Sequence, residues 1–170
     1  MRAVALRRVR VFHLQPETSY KGAPLRYLQI LKKMKAKLVQ LENVAELNEY
    51  FASSPGPFTA IDGILGTGLK GSLHGLLYDV VEAINAARCR EVIALDIPSG
   101  VSGDTGQVLG ASVLASMTIS FGFPKLGHFL PPGAARRGEL INVDISLPPR
   151  FRHEGDKFLL MKSAIASATR

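Results

Sequence analysis

Apolar residues in this chain fall into two alternating patterns. Short apolar runs are separated by segments in which apolar positions recur every three or four residues, the period of an amphipathic helix. The runs predict strands at residues 9–14, 37–41, 58–65, 91–96, 118–121 and 140–145, and the helical spacing predicts helices at residues 23–34, 44–52 and 76–87, with a further short helix at 113–117. Strands that alternate with helices pair in parallel, so we predict an α/β layer structure.

The loop between the third strand and the third helix is rich in glycine. Its residues are Gly66, Thr67, Gly68, Leu69, Lys70, Gly71 and Ser72. A glycine-rich turn before a helix points backbone N–H groups at one place, which suits a phosphate group. The spacing also fits the G-x-G-x-x-G fingerprint of dinucleotide-binding folds, whereas a P-loop would need a lysine where Ser72 stands. A tight connection that binds nothing is the alternative, and Lys70 fits either a phosphate contact or a solvated charge.

Two acidic residues accompany these strands. Asp62 lies inside the apolar run 58–65, and Asp96 ends the run 91–96. Ligands bind at the carboxyl ends of parallel strands, so Asp96 is a candidate catalytic group, with a cap for the following turn as the alternative. An unpaired carboxylate in an apolar strand is costly, so Asp62 needs either structural hydrogen bonds or a cation. Together with the Ser99 hydroxyl it would suit a hard cation rather than zinc, although Ser99 could instead cap the turn.

The composition restricts the class of protein. A chain of 170 residues with 46% hydrophobic residues fits one globular domain with a real core. No run approaches the roughly 20 apolar residues of a membrane helix, so we expect no membrane partner. The single cysteine, Cys89, cannot form an internal disulfide and is expected to be an inert structural thiol.

The charged and histidine residues add little specific chemistry. A net charge of +7 is compatible with nucleic-acid binding, but the main lysine cluster has no interleaved aromatic residues and is more typical of a solvated helix face. We therefore expect no nucleic-acid partner. The clustered lysines are Lys32, Lys33, Lys35 and Lys37. The histidines are scattered and are expected to be surface or hydrogen-bonded residues rather than metal ligands: His13, His74, His128 and His153.

Five sequence blocks resemble the YjeF N-terminal domain family, whose best-known members are NAD(P)HX epimerases. They stand in the family's order and at its spacings from about residue 9 to residue 148. The blocks are Asp62-Gly-Ile-Leu-Gly-Thr-Gly-Leu, Ala94-Leu-Asp-Ile-Pro-Ser-Gly-Val101, Asp104-Thr-Gly-Gln-Val-Leu-Gly110, Phe121-Gly-Phe-Pro-Lys-Leu-Gly127 and Gly138-Glu-Leu-Ile-Asn-Val-Asp-Ile145. The resemblance implies a Rossmann-like three-layer α/β/α sandwich with a mostly parallel sheet, in a protein that often dimerises.

The resemblance also implies a function. Members of this family interconvert the R and S epimers of hydrated NADH and NADPH, a metabolite repair reaction. Carried onto this sequence, residues 66–72 would line the phosphates of the ligand, and Asp96 would contact the hydrated nicotinamide as the acid/base. Asp62 and Ser99 would bind a potassium ion. We expect a cytoplasmic protein, with mitochondrial targeting as the alternative, that acts on NADHX or NADPHX as a homodimer.

One family feature has no counterpart in this sequence. Family members carry an Asn-Asn-Gly-Gly-Asp-Gly loop ahead of the strand matched here by residues 9–14, and that loop supplies an asparagine to the potassium. Residues 1–10 contain neither glycine nor asparagine. We therefore expect an N-terminally truncated relative, or else a protein that has lost this half of its site. In either case residues 1–150 would form a domain that lacks the family's first strand and loop, followed by a tail at 151–170, with impaired catalysis. The alternative is a non-catalytic module that binds a nucleotide-like ligand, RNA or a protein.

Overall fold

The computed structural model describes residues 9–54 and 56–148. The strands are β1 (Arg10–His13), β2 (Lys37–Gln40), β3 (Thr59–Asp62), β4 (Glu91–Leu95), β5 (Met117–Phe121) and β6 (Glu139–Val143). The α-helices are α1 (Gly22–Lys33), α2 (Val44–Ser53) and α3 (Leu76–Ala86). Each agrees with its predicted counterpart to within three residues at either end. The 3₁₀ turns are Glu17–Ser19, Leu126–His128 and Gly133–Ala135.

The short helix predicted at 113–117 is wrong, because the backbone there bonds to distant parts of the chain. The Val113 N–H donates to the Ser99 carbonyl at 2.9 Å, and the Ala115 N–H donates to the Arg136 carbonyl at 2.9 Å. The Leu114 N–H donates to Asn85 Oδ1 at 2.8 Å. Donors committed to other elements cannot form the i→i−4 bonds of a helix.

The six strands of the described ranges pair in parallel, as the alternation of strands and helices predicts, and one isolated antiparallel bridge joins Val101 to Val108. Strands β3, β4, β5 and β6 form one sheet in that order, while β1 and β2 form a separate pair. Helix α1 connects β1 to β2, and α3 connects β3 to β4. The α/β class is therefore confirmed, although the strands of the described ranges are divided between two sheets.

One hydrophobic core joins the two sheets. It is centred on α3, which contributes Val80, Val81 and Ile84, and on Leu41 and Leu47 from the region of β2 and α2. Phe12 of β1 and Val39 of β2 pack against this core. The N-terminus of α2 is capped by a side chain, because Asn43 Oδ1 accepts the Glu46 N–H at 3.3 Å.

The two faces of the four-stranded sheet differ in burial. The side chains on one face are buried inside the protein, and they include Ala94, Thr118 and Ser120. The opposite face carries apolar side chains that remain exposed, with Ile61 67% exposed and Ile141 37% exposed. Within the described ranges, none of the helices combines the length and apolarity that crossing a membrane requires.

The domain limits stay a prediction. The tail proposed at 151–170 and the first eight residues lie outside the part of the chain that the structure describes.

Candidate functional site

Three loops meet at the carboxyl ends of β3, β4 and β5. A Cβ atom placed on Gly103, in the loop after β4, would lie 3.2 Å from Thr67 Cγ2 and 3.7 Å from Lys125 Cγ. The loops after β4 and β5 are also joined by the Gly127 N–H, which donates to the Gly103 carbonyl at 2.7 Å. The loops at the carboxyl ends of these parallel strands are therefore in contact, and we call the place where they meet the crevice.

Asp62 and Ser99 form a buried pair that connects β3 to the loop after β4. Asp62 Oδ2 accepts the Ser99 N–H at 2.8 Å, and Oδ1 accepts the Ser99 hydroxyl at 2.6 Å. Oδ1 also accepts the Ile64 N–H at 3.2 Å, while the Leu65 N–H donates to Ser99 Oγ at 2.9 Å. Loss of solvation on burial raises the pKa of the Asp62 carboxyl, and its hydrogen bonds oppose that rise. The two residues are thus brought together, in contact with Ile64 and Leu65 just before the glycine-rich loop.

Asp96 lies just past the end of β4, with a backbone conformation that is rare for a residue with a side chain. Its φ angle is +70°. Its N–H extends the ladder between β4 and β5 by donating to the Ile119 carbonyl at 2.8 Å. A Cβ atom placed on Gly66 would lie 4.0 Å from Asp96 Oδ2, so the carboxylate faces the glycine-rich loop. The predicted acid/base and the predicted phosphate loop are therefore neighbours.

The glycine-rich loop is exposed. Gly66, Thr67 and Gly68 are exposed, and a Cβ atom placed on Gly68 would meet no atom within 4 Å. The loop is not the first turn of α3, which begins at Leu76 after the buried Leu73. The open space beside Gly68 leaves room for a ligand to approach the main chain. Helix α3 begins several residues after the loop, whereas in the dinucleotide-binding fingerprint the loop leads directly into the helix.

Lys125 and His128 belong to the same site, although sequence reasoning gave them no role. Lys125 forms an ion pair with Asp96, and its ammonium group also donates to Ser120 Oγ at 3.3 Å and to the Phe121 carbonyl at 3.3 Å. His128 is fully buried, and its Nε2 lies 2.9 Å from the Asp96 carbonyl oxygen. Their only signal in the sequence was the Phe121–Gly127 block, which contains Lys125 and stops one residue before His128.

The expectation for His128, a histidine with its hydrogen bonds satisfied, is confirmed. Its Nδ1 accepts the Lys125 N–H at 3.0 Å. Because Nδ1 accepts a hydrogen bond, the proton of the neutral imidazole lies on Nε2. The Nε2–H donates a hydrogen bond to the Asp96 main-chain carbonyl. Burial lowers the pKa of this imidazole, partly opposed by its hydrogen bond to the Asp96 carbonyl.

The other candidate residues lie away from this crevice. His13 Nδ1 bonds to the Gln15 carbonyl at 2.9 Å, His74 is exposed, and His153 lies outside the described residues. Within the described ranges, no three His, Cys, Asp or Glu residues group closely enough to hold a metal ion. Burial raises the pKa of the half-buried Cys89 thiol, as suits a structural cysteine. The clustered lysines, Lys32, Lys33, Lys35 and Lys37, are all exposed.

The fold and the crevice define a Rossmann-like α/β protein with its site at the carboxyl ends of parallel strands. A family model for the YjeF-related protein N-terminus matches residues 4–127. The chain belongs to this family. It is also similar to the crystal structure of the yeast protein ynu0, with a TM-score of 0.67 and 17% identity over 91% of this chain and 63% of the yeast one, a likeness that concerns the fold alone.

Several curated relatives share this part of the sequence. The Bifunctional NAD(P)H-hydrate repair enzyme Nnr of Moorella thermoacetica is 37% identical over 84% of this chain, and that of Thermofilum pendens is 53% identical over 52% of it. The NAD(P)H-hydrate epimerase of Rhodopirellula baltica is 44% identical over 55% of this chain. The matched regions span only 27%, 17% and 38% of the respective relatives.

Proposed function

We propose that this protein is an NAD(P)H-hydrate epimerase, which interconverts the R and S epimers of hydrated NADH and NADPH as a metabolite repair enzyme. Relatives named for this activity or for the wider repair function support the proposal. The observation that carries it is the Asp96 carboxylate, which faces the open glycine-rich loop at the meeting of three strand ends. A phosphate-binding loop beside a proton-transfer group is what a reaction on a dinucleotide ring requires.

The reaction needs one bond to break and re-form at the carbon that bears the hydroxyl. The Asp96 carboxylate, which is ion-paired with Lys125, first takes up a proton from solvent. In this protonated form it donates the proton to the hydroxyl, the carbon–oxygen bond breaks, and water leaves. The lone pair of the neighbouring ring nitrogen forms a carbon–nitrogen double bond. Water then adds to the opposite face of the ring and gives a proton to the Asp96 carboxylate, which restores the starting state. A positioned acid/base of this kind contributes about 100- to 10,000-fold to a rate.

The loop of residues 66–72 binds the phosphates in this proposal. The main chain at Gly68 has no protein atom within 4 Å of its Cβ position, so a phosphate can approach it closely. Lys70 is exposed on the same loop and adds a positive charge near the anion.

Asp62 and Ser99 would hold a potassium ion. The donor chemistry fits a hard cation, because the carboxylate and hydroxyl oxygens converge with the Leu65 carbonyl, 3.3 Å from Ser99 Oγ. Asp62 is 1% exposed and forms no ion pair with another described residue, so a cation would neutralise a buried charge. Bound there, potassium would supply charge neutralisation and fix the turn that follows Asp96. We propose a homodimer acting on a small-molecule substrate, with neither a nucleic-acid nor a membrane partner.

The test is epimer interconversion by the natural protein, followed by chromatography and compared with the uncatalysed rate. Asp96→Asn removes the acid/base while keeping its shape, and we expect the rate to fall by at least about 100-fold without unfolding. Asp79→Asn, the same change at an exposed position on α3, is the matched control and should leave the rate unchanged. A wild-type rate no faster than the uncatalysed one would reject the proposed function, and full activity of Asp96→Asn would reject the assigned residue.

A further inference from the structure

We propose that Lys125 is a further functional residue of this crevice, which positions the Asp96 carboxylate for proton transfer. The inference rests on the proposed epimerase function. Asp96 and Lys125 stand 29 residues apart in the sequence, and the fold brings them together where β4 and β5 end.

The ammonium group of Lys125 is held at three points. It donates to Asp96 Oδ1, to Ser120 Oγ and to the Phe121 carbonyl, the last two each at 3.3 Å. A lysine ammonium has three donors, so this arrangement uses all of them. The acceptors lie at the ends of two adjacent strands, which fixes the charge against the rigid part of the sheet.

The consequence is that the two oxygens of Asp96 are no longer equivalent. Oδ1 accepts from the Lys125 ammonium and lies 3.4 Å from the Phe121 N–H. Oδ2 has no hydrogen-bond partner in the part of the chain that the structure describes, and it is the oxygen that faces Gly66. Lys125 therefore leaves Oδ2 as the oxygen available to a ligand seated on the glycine-rich loop.

The backbone of Asp96 is held by the same segment. The Lys125 N–H donates to His128 Nδ1 at 3.0 Å, and His128 Nε2–H donates to the Asp96 carbonyl at 2.9 Å. The Lys125 side chain also contacts the Asp96 carboxylate, so Asp96 is held through both its main chain and its side chain. Residues 125–128 thus restrain both the main chain and the side chain of Asp96, whose φ of +70° needs support from its surroundings.

An ordinary surface ion pair does not have these features. The pair between Lys32 and Glu17 has side chains that are 49% and 42% exposed, against 21% and 25% for Lys125 and Asp96. Exposed pairs contribute little to stability, and Lys32 lies on α1, outside the crevice. Lys32 therefore provides the matched control for a lysine substitution.

The experiment compares Lys125→Met, Lys125→Arg and Lys32→Met in the natural protein. The kcat and KM of epimer interconversion are measured across pH, together with the thermal midpoint. We expect Lys125→Met to lower kcat by about 10- to 100-fold while KM changes little, because a misplaced catalytic group slows the reaction by such factors. Lys125→Arg keeps the charge and should recover part of the rate, and Lys32→Met should behave as wild type.

The outcomes separate this proposal from the function on which it rests. A wild type that epimerises normally alongside an equally fast Lys125→Met would overturn the role of Lys125 alone. A fall in kcat that Lys125→Arg does not relieve, matched by an equal loss of thermal stability, would indicate a merely structural lysine and also overturn it. A wild type without epimerase activity would overturn the proposed function together with this inference.

Discussion

At the scale of single residues, the site depends on how one carboxylate is presented. Asp96 adopts a left-handed backbone conformation, which costs a residue with a side chain roughly 1–2 kcal/mol and is best tolerated by aspartate and asparagine. The His128 and Lys125 contacts stabilise that conformation. A strained residue with polar supports on two sides is typical of a functional position.

Gly68 offers a direct test of the proposed phosphate-binding role of residues 66–72. Gly68→Val would place a branched side chain in space that holds no protein atom within 4 Å, so the fold should tolerate it while a bound phosphate is displaced. We expect the affinity for NADPH or ADP-ribose, measured by titration, to fall at least about tenfold, or about 1.4 kcal/mol. Lys70→Met on the same loop separates the contribution of charge from that of the main chain. Equal affinities of Gly68→Val and wild type, with equal thermal midpoints, would contradict the assignment.

At the scale of elements, local patterns predicted the strands and helices, and distant contacts decided the rest. The periodicity of α3 and the cap at Asn43 depend on neighbouring residues, so both could be predicted from the sequence. The absence of a helix at 113–117 could not, because the N–H groups of residues 113–115 donate to acceptors on three other segments. Lys125 was missed for a similar reason, since an isolated lysine in a loop is usually solvated and its partner lies far away in the sequence.

The connection between β3 and the loop after β4 gives the test for potassium. If Asp62 and Ser99 hold this ion, the free energy of unfolding should rise by about 1.4 kcal/mol when free potassium is ten times its dissociation constant. Thermal unfolding is followed in potassium and tetramethylammonium chloride at constant ionic strength. Asp62→Asn should abolish the difference, whereas Asp79→Asn should retain it. Identical midpoints of the wild type in both salts would count against the site.

At the scale of the whole molecule, the described strands form two ladders that share one core. The larger sheet carries Asp62 and Asp96 at its strand ends and Lys125 in the loop after β5, and its contacts across β3, β4 and β5 hold the crevice together. The smaller one, β1 with β2, contributes only partly buried side chains such as Phe12 and Val39 to the core. In α1 the buried residue is Leu28.

This division has a consequence for cooperativity. The segment from β1 to β2 is joined to the rest of the described protein by side-chain packing and not by a shared ladder, so it should open as a separate, less stable unit. Native-state amide hydrogen exchange should therefore show opening free energies lower by roughly 1.4 kcal/mol, or tenfold faster exchange, for β1 and β2 than for β4 and β5. Uniform protection across all four strands would show a single unit instead. If the protein opens as two units, the four-stranded sheet that carries Asp96 stays folded while the segment from β1 to β2 opens locally. The crevice then keeps its shape during these openings.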